Sequence, residues 1–250
     1  MALQEEFEKQ GNWLFQNRSY LPLLVVMAGI AVFVWTEGHP EVFMLKEGWL
    51  GMYYIYLCLL ISLVGLFIRV FTVGYTPANT SGRNTANQLA DELNITGIYS
   101  LVRHPLYLGN FFMWLGPVLY TGHIWFVGLV CFFYWIYYER IMFAEEQFLR
   151  KKFGVIYTSW AENVPAFLPR LNGYKKPRLP FSWKKVLKKE KNGLVNVFLI
   201  FCVMDVASAF IRKNGEYNKG LAAACMFTIV LYLILKFLKY NTTLLNEEGR

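Results

Sequence analysis

Six apolar runs constrain this chain more than any other feature. A stretch approaching 20 apolar residues matches a hydrocarbon core about 30 Å thick, and the runs are Leu21 to Thr36, Leu50 to Val73, Leu106 to Tyr120, Ile124 to Tyr138, Leu194 to Ile211 and Leu221 to Leu238. A chain of 250 residues would ordinarily suggest one or two soluble domains, but 56% hydrophobic residues with 18% aromatics exceed what a soluble core absorbs. The expected architecture is all-α, a polytopic transmembrane helix bundle of about six spans. The first twenty residues are polar and carry Glu5, Glu6 and Glu8, so no cleavable signal peptide is expected and the first span stays in place.

Orientation follows from lysine and arginine, which are retained on the cytoplasmic side. The segment from Glu139 to Gly193 is dense in both, from Arg140 to Lys191, whereas the loop from Glu37 to Gly48 holds only Lys46. Placing the basic segment inside puts both termini and the Gly74 to Pro105 loop in the cytoplasm of an integral, multi-pass membrane protein. The loop Arg212 to Gly220, with Arg212, Lys213 and Lys219, runs against this count for the last two spans. The formal net charge of +8 lies mostly beside the spans. Anionic lipid headgroups are therefore the expected partners, and nucleic acid is not. Cys58, Cys131, Cys202 and Cys225 each fall inside an apolar run without CxxC pairing or a histidine at ligand spacing, so no metal site and no disulfide is predicted.

The chain divides into N-terminal spans (1–73), a central unit (74–171), and a basic collar with the C-terminal pair of spans (172–250). The central unit opens on a turn-rich passage, Gly74 to Arg83. It then reaches Ser100 to Tyr107, SLVRHPLY, where Pro105 suits a first helical turn because its missing N–H has no partner there. Strong helix formers without Gly or Pro run from Tyr137 to Phe153, so the fourth span is expected to leave the bilayer as one continuous helix ending at Gly154. From Asn172 to Lys191 the chain is lysine-rich. This is read as a collar held by anionic lipid, or, more sharply, as a device that recruits an anionic lipid substrate.

The three residues Thr121, Gly122 and His123 force the third and fourth spans into an antiparallel hairpin. Its mouth gathers Arg103, His104, Tyr107, Arg140, Glu145 and Glu146. Ionisable residues converging there suggest a functional site, set against the plainer reading that they snorkel to the interface and hold the helices in register.

Three elements in order, Gly97 to Gly109 (GIYSLVRHPLYLG), Glu145 to Leu149 (EEQFL), and Phe153 to Tyr157 followed by Val164-Pro165 and Pro169, resemble the isoprenylcysteine carboxyl methyltransferase and phospholipid methyltransferase family of integral membrane enzymes. The resemblance covers Asn94 to Pro169. It implies a cytoplasmic pocket for S-adenosylmethionine between the hairpin ends, with lipid arriving from the bilayer. By matching motif, Leu93, Asn94, Tyr99, His104, Pro105, Leu106 and Tyr107 would line that pocket, and Glu145, with Glu146, would bind the positively charged end of the cofactor. Arg140 or Arg103 would guide the acceptor, although the family arginine is commonly nearer the first glutamate than Arg140 is here. Neither Asp91 nor Asn84 reproduces the polar cofactor contacts expected upstream. No glycine-rich dinucleotide fingerprint is present, which argues against a Rossmann-type enzyme.

Within the family, Gly11 to Tyr20, Gly74 to Thr85 and the central block are most similar to the bacterial lipid A 1-phosphate O-methyltransferases. That similarity implies O-methylation of an anionic lipid group in a bacterial inner membrane. The alternatives are methylation of an isoprenylcysteine carboxylate or a phospholipid amine, a membrane reductase like the sterol reductases, which share a similar C-terminal arrangement, or a non-catalytic lipid-binding scaffold. The oligomeric state is left open.

Overall fold

A computed structural model describes residues 2–39, 41, 51–80, 88–213 and 215–250. The loop expected to hold Lys46, the first residue of the second run (Leu50), and residues 81–85 with Asn84 lie outside the described residues. Among those described, the regular elements are helical: α1 (Leu3–Gln16), α2 (Leu21–Gly38), α3 (Gly51–Tyr75), α4 (Pro105–Tyr120), α5 (Ile124–Phe153), α6 (Val155–Ala161), α7 (Trp183–Ile211) and α8 (Lys219–Asn241), with a 3-10 turn at Ile98–Ser100.

All six apolar runs fall in helices, but not all of those helices have the same reach. Tyr53–Tyr75, Ile124–Phe153, Trp183–Ile211 and Lys219–Asn241 are long and apolar enough to cross a membrane by length and composition, making this an integral membrane protein. α2 and α4 are shorter. At a rise of about 1.5 Å per residue, the 16 residues of α4 extend roughly 24 Å. The expectation of about six spans thus rests on four long helices and two short ones.

α3 and α4 pack most closely, because glycines remove the side chains between them. A Cβ on Gly65 would stand 2.4 Å from the Gly109 carbonyl oxygen, and one on Gly116 would stand 2.1 Å from Ser62 Oγ. Backbone approach this tight exposes carbonyls to side-chain donors. Ser62 Oγ donates to the Met113 carbonyl at 3.0 Å and the Tyr54 hydroxyl to the Leu119 carbonyl at 2.6 Å. α7 packs against α3 and α8, closing a core around Phe33, Cys58, Tyr120 and Phe201.

α5 runs unbroken to Gly154, whose φ of 53° turns the chain out of the helix in a region that suits glycine. The polar opening stretch, for which the apolar pattern predicts nothing, forms α1 and lies along α5. Gly11 meets the Arg140 carbonyl, and the Phe7 and Phe143 rings meet edge to face at 6.0 Å. The lysine-rich collar is not a loop throughout. From Trp183 it is the first turns of α7, where Lys185 and Lys191 are buried. Arg212, which counted against the orientation of the last spans, is paired at 2.5 Å with the buried Glu37 of α2, so its charge is internally balanced.

Candidate active site

The start of α4 is fixed from a distance. Val102 is completely buried, and the N–H groups of Arg103 and His104 donate to the carbonyls of Pro165 and Ala166 at 2.9 and 3.1 Å. Arg170 N–H donates back to the Leu101 carbonyl at 3.0 Å, and Gly97 N–H donates to the Lys175 carbonyl at 2.8 Å. Gly97 adopts φ 62°, the left-handed geometry that glycine takes at least cost. The Val164-Pro165 and Pro169 passage is therefore a clamp over the two residues that lead into α4, and it gives the N–H of the N-cap, His104, its acceptor. The Arg103 side chain strengthens the clamp, donating to the Ala161 carbonyl at 2.8 Å and pairing through Nε with Glu146 Oε1 at 3.0 Å.

Successive residues on a helix point about 100° apart, and this separates the paired glutamates of α5. Glu145 faces a cavity of about 650 Å³, while Glu146 turns toward the clamp. His104 stands between them, its side chain 6% exposed, with Nε2 3.0 Å from Glu146 Oε1 and Nδ1 3.6 Å from Glu145 Oε2. The Tyr107 hydroxyl donates to Glu145 Oε1 at 2.7 Å. Burial opposes protonation of His104, but hydrogen bonds and charge from Glu145 and Glu146 outweigh it and raise its pKa above the usual 6.5. Burial, and then the charge of Glu145, pushes the Tyr99 hydroxyl up, so it stays protonated.

Aromatic rings complete this end of the cavity. Tyr107 stacks on His104 at 5.7 Å and meets Tyr138 at 4.8 Å, and Tyr134 stacks on Tyr138 at 4.2 Å. Tyr134 also donates to the Tyr107 carbonyl at 2.7 Å, tying the two helices of the hairpin together.

Of the residues marked out by sequence, Leu93, Asn94, Tyr99, Arg103, His104, Pro105, Leu106, Tyr107 and Glu145 all line this one cavity. Glu146 does not; it stands behind His104. Arg140 is not among the lining residues either. It lies against α1, its guanidinium 3.6 Å above the Phe7 ring and 3.1 Å from Glu139. Five positions separate it from Glu145, about 140° of rotation, so one helix cannot present both to the same space.

The structure adds wall residues that the motifs do not mark: Arg18 from the α1–α2 link, Arg69 from α3, Asn110 from α4, Tyr138 from α5, and Lys189 and Glu190 from α7. Arg69 donates from Nε and Nη2 to the two oxygens of Glu190, both at 2.8 Å, and from Nη1 to Asn110 Oδ1 at 2.7 Å. One signal for it is present in the sequence, since Arg69 is the sole charge in the apolar stretch that forms α3.

Residues 54–155, from early in α3 to the end of α5, match the model of the phospholipid methyltransferase family. Over that stretch the chain is similar to phospholipid methyltransferases. The matched stretch contains the whole His104, Tyr107 and Glu145 constellation together with Arg69 and Asn110. Glu190, Lys189 and Arg18 fall outside the matched stretch.

Similar curated proteins include the protein-S-isoprenylcysteine O-methyltransferase of Schizosaccharomyces pombe, 36% identical over 81 residues, 32% of this chain and 34% of that one. A nickel-cobalt-cadmium resistance protein of Alcaligenes xylosoxydans xylosoxydans is 33% identical over 81 residues, 32% of this chain and 38% of its own length. A cobalt-zinc-cadmium resistance protein of Cupriavidus metallidurans is 32% identical over 80 residues, 32% of this chain and 37% of that protein. The chain thus spans a little over a third of the length of the curated relatives it matches. No solved structure matches the chain.

Proposed function

We propose that this protein is an S-adenosylmethionine-dependent methyltransferase that O-methylates an anionic group of a membrane lipid. The observation that carries the reading is Glu145, held by His104 and Tyr107 on the wall of an aromatic-lined cavity between the hairpin ends. The residues fit such a cofactor. A carboxylate suits an ammonium or sulfonium, Tyr99, Tyr107 and Leu106 offer apolar and aromatic walls, and the cavity lies within the roughly 300–1,000 Å³ typical of small-molecule sites.

When bound, the cofactor supplies an electrophilic methyl group: a lone pair on the acceptor oxygen forms the C–O bond as the C–S bond breaks and its electrons return to sulfur. The chain's own residues have a narrower task, which is to orient, neutralise charge and exclude water. Both ring nitrogens of His104 face carboxylates, so the imidazole is committed to Glu145 and Glu146. That supports an acceptor already anionic at neutral pH, a phosphate or carboxylate, over an amine that must first lose a proton.

Among anionic lipids the proposed acceptor is the 1-phosphate of lipid A, in keeping with the subgroup resemblance and the basic start of α7. An isoprenylcysteine carboxylate is the runner-up. The lysine and arginine distribution supports a bacterial inner membrane orientation with termini and site in the cytoplasm, and the neutralised Arg212 removes part of the charge that argued otherwise.

Calorimetry on protein in detergent tests the site. S-Adenosylhomocysteine should bind, and Glu145→Gln should weaken it roughly tenfold or more, the loss of one charge-assisted contact. Equal affinity in the variant would remove Glu145 from the cofactor site. Incubation with labelled S-adenosylmethionine and a total lipid extract, followed by mass spectrometry, then names the acceptor.

A further inference from the structure

The proposed reaction needs a cation beside the acceptor oxygen, and the two arginines suggested by sequence are otherwise placed. Arg103 is engaged by Glu146 and the Ala161 carbonyl in the clamp, and Arg140 lies outside the cavity lining, over Phe7. Arg69 differs from Arg140 in standing on the cavity wall, and from Arg103 in standing apart from the clamp; its side chain is 14% exposed and its partner Glu190 is 4% exposed. A buried ion pair contributes little net stability compared with apolar packing, so a charge placed in an apolar helix and aimed at a cavity asks for a functional reason.

Local geometry holds the guanidinium in place. The stem of Arg69 crosses Gly109, where a Cβ would stand 2.6 Å from Arg69 Cγ, so glycine there lets the side chain lie flat against α4. Glu190 takes Nε and Nη2 as a two-pronged acceptor, and Asn110 takes Nη1. A guanidinium has five N–H donors. Among the described residues three of those on Arg69 are used, which leaves two for a ligand.

Position along α4 relates this cation to the cofactor end. Tyr107 touches Glu145 and Asn110 touches Arg69, and these two α4 residues are three positions apart, on neighbouring turns of one face. At about 1.5 Å per residue the two contacts differ in level by roughly 4.5 Å along the helix. A carboxylate for a cationic methyl donor and a guanidinium for an anionic acceptor are thereby set side by side. Lys189, the neighbour of Glu190 in sequence, adds a second cation to the same wall.

We infer that Arg69 is the receptor for the anionic headgroup of the acceptor lipid, a phosphate monoester, with Glu190 and Asn110 as positioning residues that hold its guanidinium toward the cavity. The inference rests on the proposed methyl transfer for its meaning, but the anion subsite is measurable without turnover. Glu190 also offsets the guanidinium's charge, and a glutamine in its place would keep an acceptor for Arg69 without that offset.

The test is calorimetry in detergent on wild type, Glu190→Gln, Arg69→Lys and the neutral pair Arg69→Gln/Glu190→Gln. The titrants are dihexanoyl phosphatidic acid, dihexanoyl phosphatidylcholine and inorganic phosphate, each with S-adenosylhomocysteine present. Removing the offsetting negative charge in Glu190→Gln should tighten phosphatidic acid binding about fivefold or more, a gain that a purely structural ion pair would not produce. The neutral pair keeps hydrogen-bonding groups in place and should weaken it about tenfold or more, the effect of one lost charge-assisted contact. Arg69→Lys, which keeps the charge but not the fork, should fall between.

S-Adenosylhomocysteine affinity within twofold of wild type in each variant certifies the fold. Unchanged phosphatidic acid binding in the neutral pair, or weaker binding in Glu190→Gln, would overturn the assignment. So would phosphatidylcholine binding that falls in parallel, or inorganic phosphate binding as tightly as the lipid. If wild type binds no S-adenosylhomocysteine, the proposed function fails, while the response of phosphatidic acid to Arg69 still decides the subsite.

Discussion

Proton linkage at His104 gives the sharpest test of the site's electrostatics. Two carboxylates, Glu145 and Glu146, face Arg103 and His104. With His104 protonated the four charges cancel, and loss of its proton leaves one negative charge unbalanced. A cationic ligand arriving at Glu145 therefore suits the deprotonated state and expels the proton. The pKa of His104 in the empty protein lies above its usual 6.5, so below that raised value each bound S-adenosylmethionine should release up to one proton. Affinity then climbs by up to tenfold per pH unit, about 1.4 kcal/mol, and levels off once His104 is neutral.

Stability of the empty protein should move the other way. A folded-state pKa above the unfolded one means His104 contributes fully below pH 6.5, and that contribution is lost as pH rises through the raised folded value. Calorimetry in buffers of different ionisation enthalpy counts the released proton, and thermal melts of empty protein across pH 5.5 to 8.5, a span of about three units around the usual histidine pKa, read the second effect. His104→Gln should abolish both slopes. A wild-type affinity independent of pH, or a slope that survives in His104→Gln, would refute this charge count.

Two further outcomes follow from packing and placement. Gly65→Ala drives a methyl group to 2.4 Å from the Gly109 carbonyl, a backbone atom that cannot swing aside; α3 and α4 must part, at about 1–3 kcal/mol, seen as a lower Tm in detergent. Arg140→Ala removes only the guanidinium stacked on Phe7 and its pairing with Glu139, so it should cost about 0.5–1 kcal/mol of stability with the cofactor Kd and lipid KM unchanged. A raised KM in that variant would return Arg140 to the site.

What could be read in the sequence was what the chain encodes locally. The hairpin follows from a three-residue turn, α5 runs to Gly154 because nothing before it breaks a helix, and Pro105 opens α4 as its missing N–H predicts. His104 and Glu145 could be brought together because one short turn joins their helices. Arg69 and Glu190 could not, since 121 positions separate them and no local pattern links an apolar helix to a lysine-rich run. α1 was hidden for the same reason: its polar residues match no span, and its place along α5 depends on Gly11 and Phe7 meeting a helix made over 120 residues later. Rotation about α5 already set Arg140 apart from Glu145, and that arithmetic was a better guide to its position than mere nearness in sequence.

The Arg69–Glu190 contact also orders events at the ribosome. Chains emerge N-terminus first, so α3 is inserted long before α7 exists. Arg69 must settle into the bilayer without the carboxylate that later balances it, at up to about 2.5–3.5 kcal/mol on insertion scales for a helix centre. The otherwise uncharged residues of α3 have to carry that load during biogenesis. The Arg69 wall of the cavity is electrically complete only when a late helix docks, so a nascent protein halted before Glu190 would hold residues 54–155 in full and still carry a different charge on that wall.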